Sequence, residues 1–189
     1  MQSSEFQRHL QAAGRAKQDR MRIVAPYLHR GSLLQRARAL AACECGGGGK
    51  GAPSQRCALS AVTAQGVCTR YSHMQALCPR IYLICDEYGA AAALMLQHLL
   101  HEALAAGERV LWSPCALLPN GAPEHLLLPE KGVAFTVSNA YHAADFPVYC
   151  RIHTLLFTDT DGLQAHGQAL CCAQRQLRQA VQRAILAAR

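Results

Sequence analysis

Long hydrophobic runs are missing from this sequence. No apolar stretch approaches the ~20 residues that a membrane-spanning helix needs. The first thirty residues are polar and basic and lack the apolar centre of a secretion signal. Charged residues make up 16% of the chain and hydrophobic ones 51%, a balance that argues against wholesale disorder. We therefore expect a cytoplasmic globular protein with a sizeable core and no membrane partner.

Several motifs that identify a chemistry are absent as well. The ten cysteines include no C-x-x-C pair, and no H-E-x-x-H or G-x-S-x-G sequence occurs. His98 and His101, beside Glu102 on a predicted helix, have no third and fourth ligand in view, and we predict no metal site. Cys43 and Cys45 likewise have no further cysteine pair in the sequence to complete a metal site. Without a secretion signal, the cysteines are typical of reduced thiols, several of them acting as small core residues.

Acidic residues are scarce in the first part of the chain. Residues 1–80 carry 12 Lys/Arg against 3 Asp/Glu (12 − 3 = +9), and residues 81–189 carry 7 against 9 (7 − 9 = −2). A basic surface of this kind is able to meet nucleic acid. Here the basic residues are scattered and poorly interleaved with aromatics, which favours a solvated helix surface. Nucleic-acid association stays as the weaker alternative.

The central stretch, residues 81–113, has the pattern of a βαβ unit. Ile81-Tyr82-Leu83-Ile84-Cys85 reads as a buried strand, followed by a polar break at 86–89. An alanine- and leucine-rich run from Ala90 to Ala106 predicts a helix that stops at Gly107, and a second short strand follows at 109–112. Such a unit is the repeating piece of a parallel sheet.

The loop of this unit has the length of a phosphate-binding loop but not its side chains. Aligned with G-x-x-x-x-G-K-[S/T], the two glycine positions hold Asp86 and Ala91, the lysine position holds Ala92 and the hydroxyl position holds Ala93. The helix N-terminus would still attract an anion, but the lysine and the magnesium ligand are gone and carboxylates are added. The candidate nucleotide-binding residues are Asp86, Glu87, Tyr88, Gly89, Ala90, Ala91, Ala92 and Ala93. We predict weak or no nucleotide binding, no catalytic residue and no cofactor, with weakly held ATP and Mg²⁺ as the alternative.

A polar loop follows the predicted strand at 132–137. Ser138, Asn139 and His142 leave the strand at the edge of the sheet where ligands of open α/β folds bind. They are therefore the second group of candidate crevice residues. A hydrogen-bonded loop without a ligand is the simpler interpretation.

The remaining segments predict four parts. Residues 1–45 read as a helical hairpin, with a second helix capped by Ser32, and residues 46–55 as a glycine-rich linker. Residues 56–160 form the α/β core, with a turn at 63–66 and a further strand within 148–157. Asp159 is expected to cap the next helix rather than bind magnesium. Residues 161–189 predict a C-terminal helix whose apolar seam packs in cis on the N-terminal hairpin or core, or alternatively pairs with a second chain.

Several blocks of sequence resemble a family of poorly characterised bacterial P-loop ATPase-like proteins, whose members usually carry two copies of the domain on one chain. The similarity is to the second copy and covers about residues 56–145; the blocks are residues 60–66, 80–84, 107–110, 124–130 and 133–142. The resemblance implies a three-layer, parallel-sheet P-loop NTPase-like fold with flanking helices. Family members normally keep an intact phosphate loop, so the family's ATPase activity does not transfer to this chain.

Together these observations predict a degenerate P-loop NTPase-like protein that does not hydrolyse nucleotide and serves as a structural or interaction module. Its partner would be another protein or a second copy, joined through the terminal helices. The alternative is an ATP- or GTP-binding NTPase with an unconventional loop, for which Lys131, Arg80 and Lys50 are the available phosphate ligands.

Overall fold

The computed structural model describes residues 3–46, 54–141 and 143–189. Within these ranges the fold is mixed α/β. The α-helices are α1 (Ser4–Val24), α2 (Arg30–Glu44), α3 (Tyr71–Leu77), α4 (Ala90–Ala105), α5 (Thr160–Gln164) and α6 (Gly167–Ala187). The strands are β1 (Gln55–Arg56), β2 (Ser60–Thr63), β3 (Gly66–Thr69), β4 (Arg80–Cys85), β5 (Leu111–Pro114), β6 (Pro123–Leu128), β7 (Val133–Ser138) and β8 (Cys150–His153). Most of the predicted linker, residues 47–53, lies outside the described ranges.

Six strands form the main sheet in the order β1-β5-β6-β7-β4-β8. Its β1–β5, β4–β7 and β4–β8 pairs are parallel, whereas β6 runs antiparallel to both β5 and β7. The expected parallel sheet is therefore only mostly parallel. The reason is local: β5 and β6 are joined by residues 115–122, and a link this short returns the chain antiparallel, because a parallel crossover needs about a dozen residues or more.

The predicted strand–helix–strand unit is present with one correction. Strand β4, helix α4 and strand β5 follow in order, and Gly107 ends the helix region with φ +76°. The two strands are not neighbours, however, because β7 and β6 lie between them in the sheet. The turn predicted at 63–66 is also present, and it joins β2 and β3 in an antiparallel hairpin.

Both faces of the sheet are covered. On one face, alternate residues of the central strands, among them Tyr82, Leu126 and Phe135, pack with α2 and α4 in the main core. On the other face, Ile81, Leu127 and Ala134 pack with Met74 and Leu59. This alternation follows from the two-residue side-chain period of a strand, and it places α4 directly against the sheet.

The terminal helices form a separate pair. Helix α1, capped by the Ser3 hydroxyl, lies along α6, and Leu177 and Val181 of the predicted seam are buried in the core between them. The seam thus packs in cis on the first helix. The helical hairpin predicted for residues 1–45 is wrong, because α2 packs against α4 instead of α1. Ser32 is not the cap of α2, which begins two residues earlier after His29.

The segment after residue 147 also differs in part from the prediction. The strand predicted within residues 148–157 is confined to β8, and Thr154–Phe157 turns as a short 3-10 helix. Asp159 caps α5 as predicted, since its carboxylate accepts a hydrogen bond from the backbone N–H of Gly162 at 2.9 Å. Across the described ranges, no helix combines the length and apolar character needed to cross a bilayer.

Candidate functional site

The candidate loop lies at the carboxyl end of β4. Residues 86–89 leave the strand, the backbone N–H of Asp86 donates to the carbonyl of Ser138 at 3.1 Å, and α4 begins at Ala90. Gly89 caps this helix with φ +85°, a left-handed conformation that a side chain disfavours. The loop therefore has the placement expected of it, between a strand and a helix N-terminus and beside the end of β7.

A carboxylate of the loop itself lies at the N-terminus of α4. The Asp86 side chain is 2% exposed, and its Oδ2 accepts the backbone N–H of Ala92 at 2.7 Å. Its Oδ1 accepts the N–H of Tyr88 at 3.0 Å. A carboxylate is stabilised at a helix N-terminus for the same reason as a phosphate, since the unpaired N–H groups and the helix dipole favour negative charge. Glu87, in contrast, is exposed.

A lysine from α1 lies against the same loop. The Cε atom of Lys17 is 3.4 Å from the point where a β-carbon on Gly89 would lie. Its Nζ donates to Oε1 of Glu124 and to Sγ of Cys115, each at 2.8 Å. The hollow lined by Lys17, Ala92, Ala93 and Glu124 measures about 30 Å³, which is room for one or two water molecules rather than a phosphate chain.

The groups around Lys17 determine the protonation states of Lys17 and Cys115. Burial alone would lower the pKa of Lys17, but contacts with Cys115 and Glu124 raise it above its ordinary value. Burial raises the pKa of Cys115 to about 11, and the nearby ammonium of Lys17 only partly opposes this. At neutral pH Lys17 is thus an ammonium ion paired with Glu124, and Cys115 is a neutral thiol with little nucleophilic character.

Arg20 is the second buried cation of α1 and is 2% exposed. Its guanidinium donates to Oε1 of Gln174 in α6. Burial lowers the pKa of Arg20, while the acidic groups of Glu87 and Asp86 favour its charged form. Arg20 therefore adds positive charge beside the two carboxylates that the loop carries.

The sequence patterns missed Lys17 and Arg20, and the solvated surface expected for the basic helix is wrong at these two positions. A signal was nevertheless available, because Ala13, Lys17, Arg20 and Val24 follow one another at the three- and four-residue spacing of a single helix face. Two cations that fall within an apolar stripe indicate buried, paired charges.

The phosphate ligands named from the sequence are elsewhere. Arg80 pairs with Glu44 at 3.0 Å, and Lys131 pairs with Glu108 at 3.3 Å. Arg80 begins β4 and Asp86 follows its end, so a strand length of roughly 20 Å separates them. These two residues lie at the wrong end of the sheet to reach the loop. Lys50 lies outside the described residues.

The second group of candidates adjoins the loop. Ser138 ends β7 and is in register with Cys85, and the Asn139 Oδ1 accepts the backbone N–H of Tyr141 at 2.9 Å. The side-chain amide of Asn139 therefore stabilises a local turn. His142 lies outside the described residues. On the central helix, His98 Nε2 lies 3.2 Å from Glu102 Oε1, and in the described ranges no cluster of three or more His, Cys, Asp or Glu side chains is arranged to hold a metal ion.

The comparisons with known proteins yield no relative: no family model, curated protein or solved structure matches this chain.

Proposed function

We propose that this chain is a P-loop NTPase-like protein that neither binds nor hydrolyses nucleotide and acts in the cytoplasm as a structural or interaction module. The observation that carries this proposal is the Asp86 carboxylate, which accepts the N–H groups of Tyr88 and Ala92 at the start of α4. A phosphate entering the loop must displace this buried carboxylate from its two hydrogen bonds. It must also overcome the repulsion between the two negative charges.

The Lys17–Glu124 pair also supports this proposal. Lys17 lines the small hollow together with Ala92 and Ala93, the positions that hold the lysine and hydroxyl of an active loop. It is held there by Glu124, and releasing it would leave a buried carboxylate without its counter-ion.

All ten cysteines fall within the described ranges as free thiols, in keeping with a reducing compartment.

Lys17 also supports the second candidate function, a nucleotide-binding protein with an unconventional loop. A lysine brought from α1 to the first turn of α4 could ligate a phosphate if Glu124 released it. Its pairing at 2.8 Å and the small hollow make the closed, non-binding function the better supported of the two.

Calorimetric titration of the full chain with Mg-ATP and Mg-GTP tests this proposal. We expect no saturable heat up to millimolar nucleotide, and a micromolar, magnesium-dependent affinity would overturn the proposal in favour of the unconventional NTPase.

A converted variant provides the positive control. Asp86→Gly, Ala91→Gly, Ala92→Lys and Ala93→Ser rebuild the motif, and Lys17→Ala with Glu124→Gln empties the hollow. We expect Mg-ATP binding only when all six changes are combined. A folded six-fold variant that still fails to bind would contradict the proposed P-loop geometry.

A further inference from the structure

A buried chain of hydroxyl and imidazole groups lies on the other side of the sheet from Lys17. The Ser60 Oγ in β2 is 2.7 Å from the His125 Nε2 in β6, and the His125 Nδ1 is 2.7 Å from the Thr136 Oγ1 in β7. His125 and Thr136 are fully buried. Neighbouring residues of a strand point to opposite faces, so Glu124 faces Lys17 whereas His125 faces Ser60.

This geometry indicates which group donates and which accepts in each hydrogen bond. When the imidazole carries its proton on Nδ1 and donates it to Thr136, its Nε2 is left as an acceptor for the Ser60 hydroxyl. The Thr69 Oγ1 lies 2.9 Å from the Ser60 Oγ and helps to fix its position. A serine hydroxyl that faces a neutral, oriented imidazole is the arrangement that makes serine a nucleophile.

Ser60 also has access to a cavity. It lines a hollow of about 400 Å³ together with Arg56, Cys57, Ser113 and Pro119, a size within the range of small-molecule sites. His125 lies behind Ser60 and outside this lining. Ser60 therefore lies between His125 and a space that a small molecule can enter.

From these contacts we propose that Ser60 is a nucleophile, with His125 as its general base, that reacts with small activated esters in this hollow. The Ser60 oxygen forms a bond to the acyl carbon while its proton passes to the His125 Nε2. The ester C–O bond breaks, and the activated leaving group departs into the hollow as a phenolate, which leaves an acyl-serine and a protonated His125. Because His125 is fully buried behind Ser60, it does not reach water in the hollow, and the acyl-serine accumulates.

The expected rate of Ser60 acylation depends on Thr136. In Ser-His-Asp triads a carboxylate orients the histidine and stabilises the imidazolium, and its replacement by an amide lowers kcat by about 10⁴. Thr136 orients the ring but has no charge. We therefore expect slow acylation, with turnover close to a single event, and we assign Thr136 as a positioning residue.

A fluorophosphonate probe tests the proposal on the full chain. The Ser60 oxygen displaces fluoride from phosphorus, and peptide mass mapping locates the adduct. We expect modification at Ser60, its loss in Ser60→Ala, and at least a tenfold slower rate in His125→Gln. Ser32→Ala is the control, because Ser32 is an exposed serine of α2 that does not line this hollow, and it should keep the Ser60 adduct.

Two further measurements separate chemistry from structure. Thr136→Ser, which keeps the hydroxyl, should retain the labelling rate, whereas Thr136→Val should lower it. In the unchanged chain, Ser60 should be labelled much faster in buffer than in urea, because the activation depends on the fold; this comparison needs no variant to fold. No adduct at Ser60 in buffer, an equal rate in urea, or a rate unaffected by His125→Gln would overturn the proposal.

Discussion

The Nζ atom of Lys17 in α1 lies 2.8 Å from Oε1 of Glu124 in β6, although 107 residues separate them in the sequence. Their side chains are only 7% and 4% exposed. This pair joins the terminal helices to the sheet at the candidate loop.

Breaking this pair from one side should be costly. We expect Lys17→Met or Glu124→Gln to lower the free energy of unfolding by about 3–5 kcal/mol, since each leaves a buried charge without its partner. The double variant Lys17→Met/Glu124→Leu should lose less than either single variant. Urea denaturation measures these differences. Arg22→Ala is the control, because the Arg22–Asp19 pair is exposed and its loss should cost less than about 1 kcal/mol.

Two helix glycines should respond in opposite ways to the same substitution. A β-carbon on Gly14 would lie 2.6 Å from the carbonyl oxygen of Leu117, whereas one on Gly31 would meet nothing within 4 Å. Gly14→Ala should therefore cost about 1–3 kcal/mol by forcing α1 away from the loop after β5. Gly31→Ala should be neutral or stabilise by up to about 1 kcal/mol through helix propensity. Equal effects in urea denaturation would show that α1 does not approach this loop closely.

The Asp86 carboxylate should stabilise the start of α4. Asp86→Ala removes the acceptor of two backbone N–H groups, and we expect a loss of about 2–3 kcal/mol in the free energy of unfolding. Glu87→Ala, at the exposed neighbouring position, should change it by less than about 0.5 kcal/mol. Hydrogen exchange of the Ala92 amide should quicken in Asp86→Ala alone, and unchanged exchange would contradict the capping role.

Alkaline pH should destabilise the fold through buried thiols. Burial raises the pKa of Cys115 from 9.0 to about 11, so the folded state holds this proton more tightly than the unfolded state. The resulting stabilisation is complete below pH 9 and is lost as the pH rises towards 11. Its size is on the order of 3 kcal/mol.

The measurement is the free energy of unfolding as a function of pH under reducing conditions. Cys115→Ser, which removes one of three thiols whose pKa burial raises to about 11, should make the decline between pH 9 and 11 less steep. Cys171→Ser should leave it unchanged, because that thiol is exposed in the folded state. A decline of equal slope in all three proteins would assign the alkaline loss to other groups.

Short-range patterns in the sequence determined most of the secondary structure. Strand β4, the helix that begins at Ala90, the stop at Gly107, strand β7 and the cap at Asp159 were all predicted from apolar runs, glycine and capping chemistry. Each depends on residues within a few positions of one another, so no distant partner is needed to recognise it. The absence of a lysine and a hydroxyl at Ala92 and Ala93 was also readable directly.

The contacts between distant residues could not be predicted from the sequence. The insertion of β6 and β7 between β5 and β4, the packing of α1 on α6 instead of α2, and the Lys17–Glu124 and Ser60–His125 contacts join residues far apart in the chain. Local propensity carries no information about such pairings, because they arise when separate apolar faces are buried together and the polar side chains among them must find partners. Local patterns were therefore enough to predict an α/β chain whose central loop lacks the lysine and hydroxyl of a phosphate-binding motif. The folded structure decided that the loop is closed by its own carboxylate.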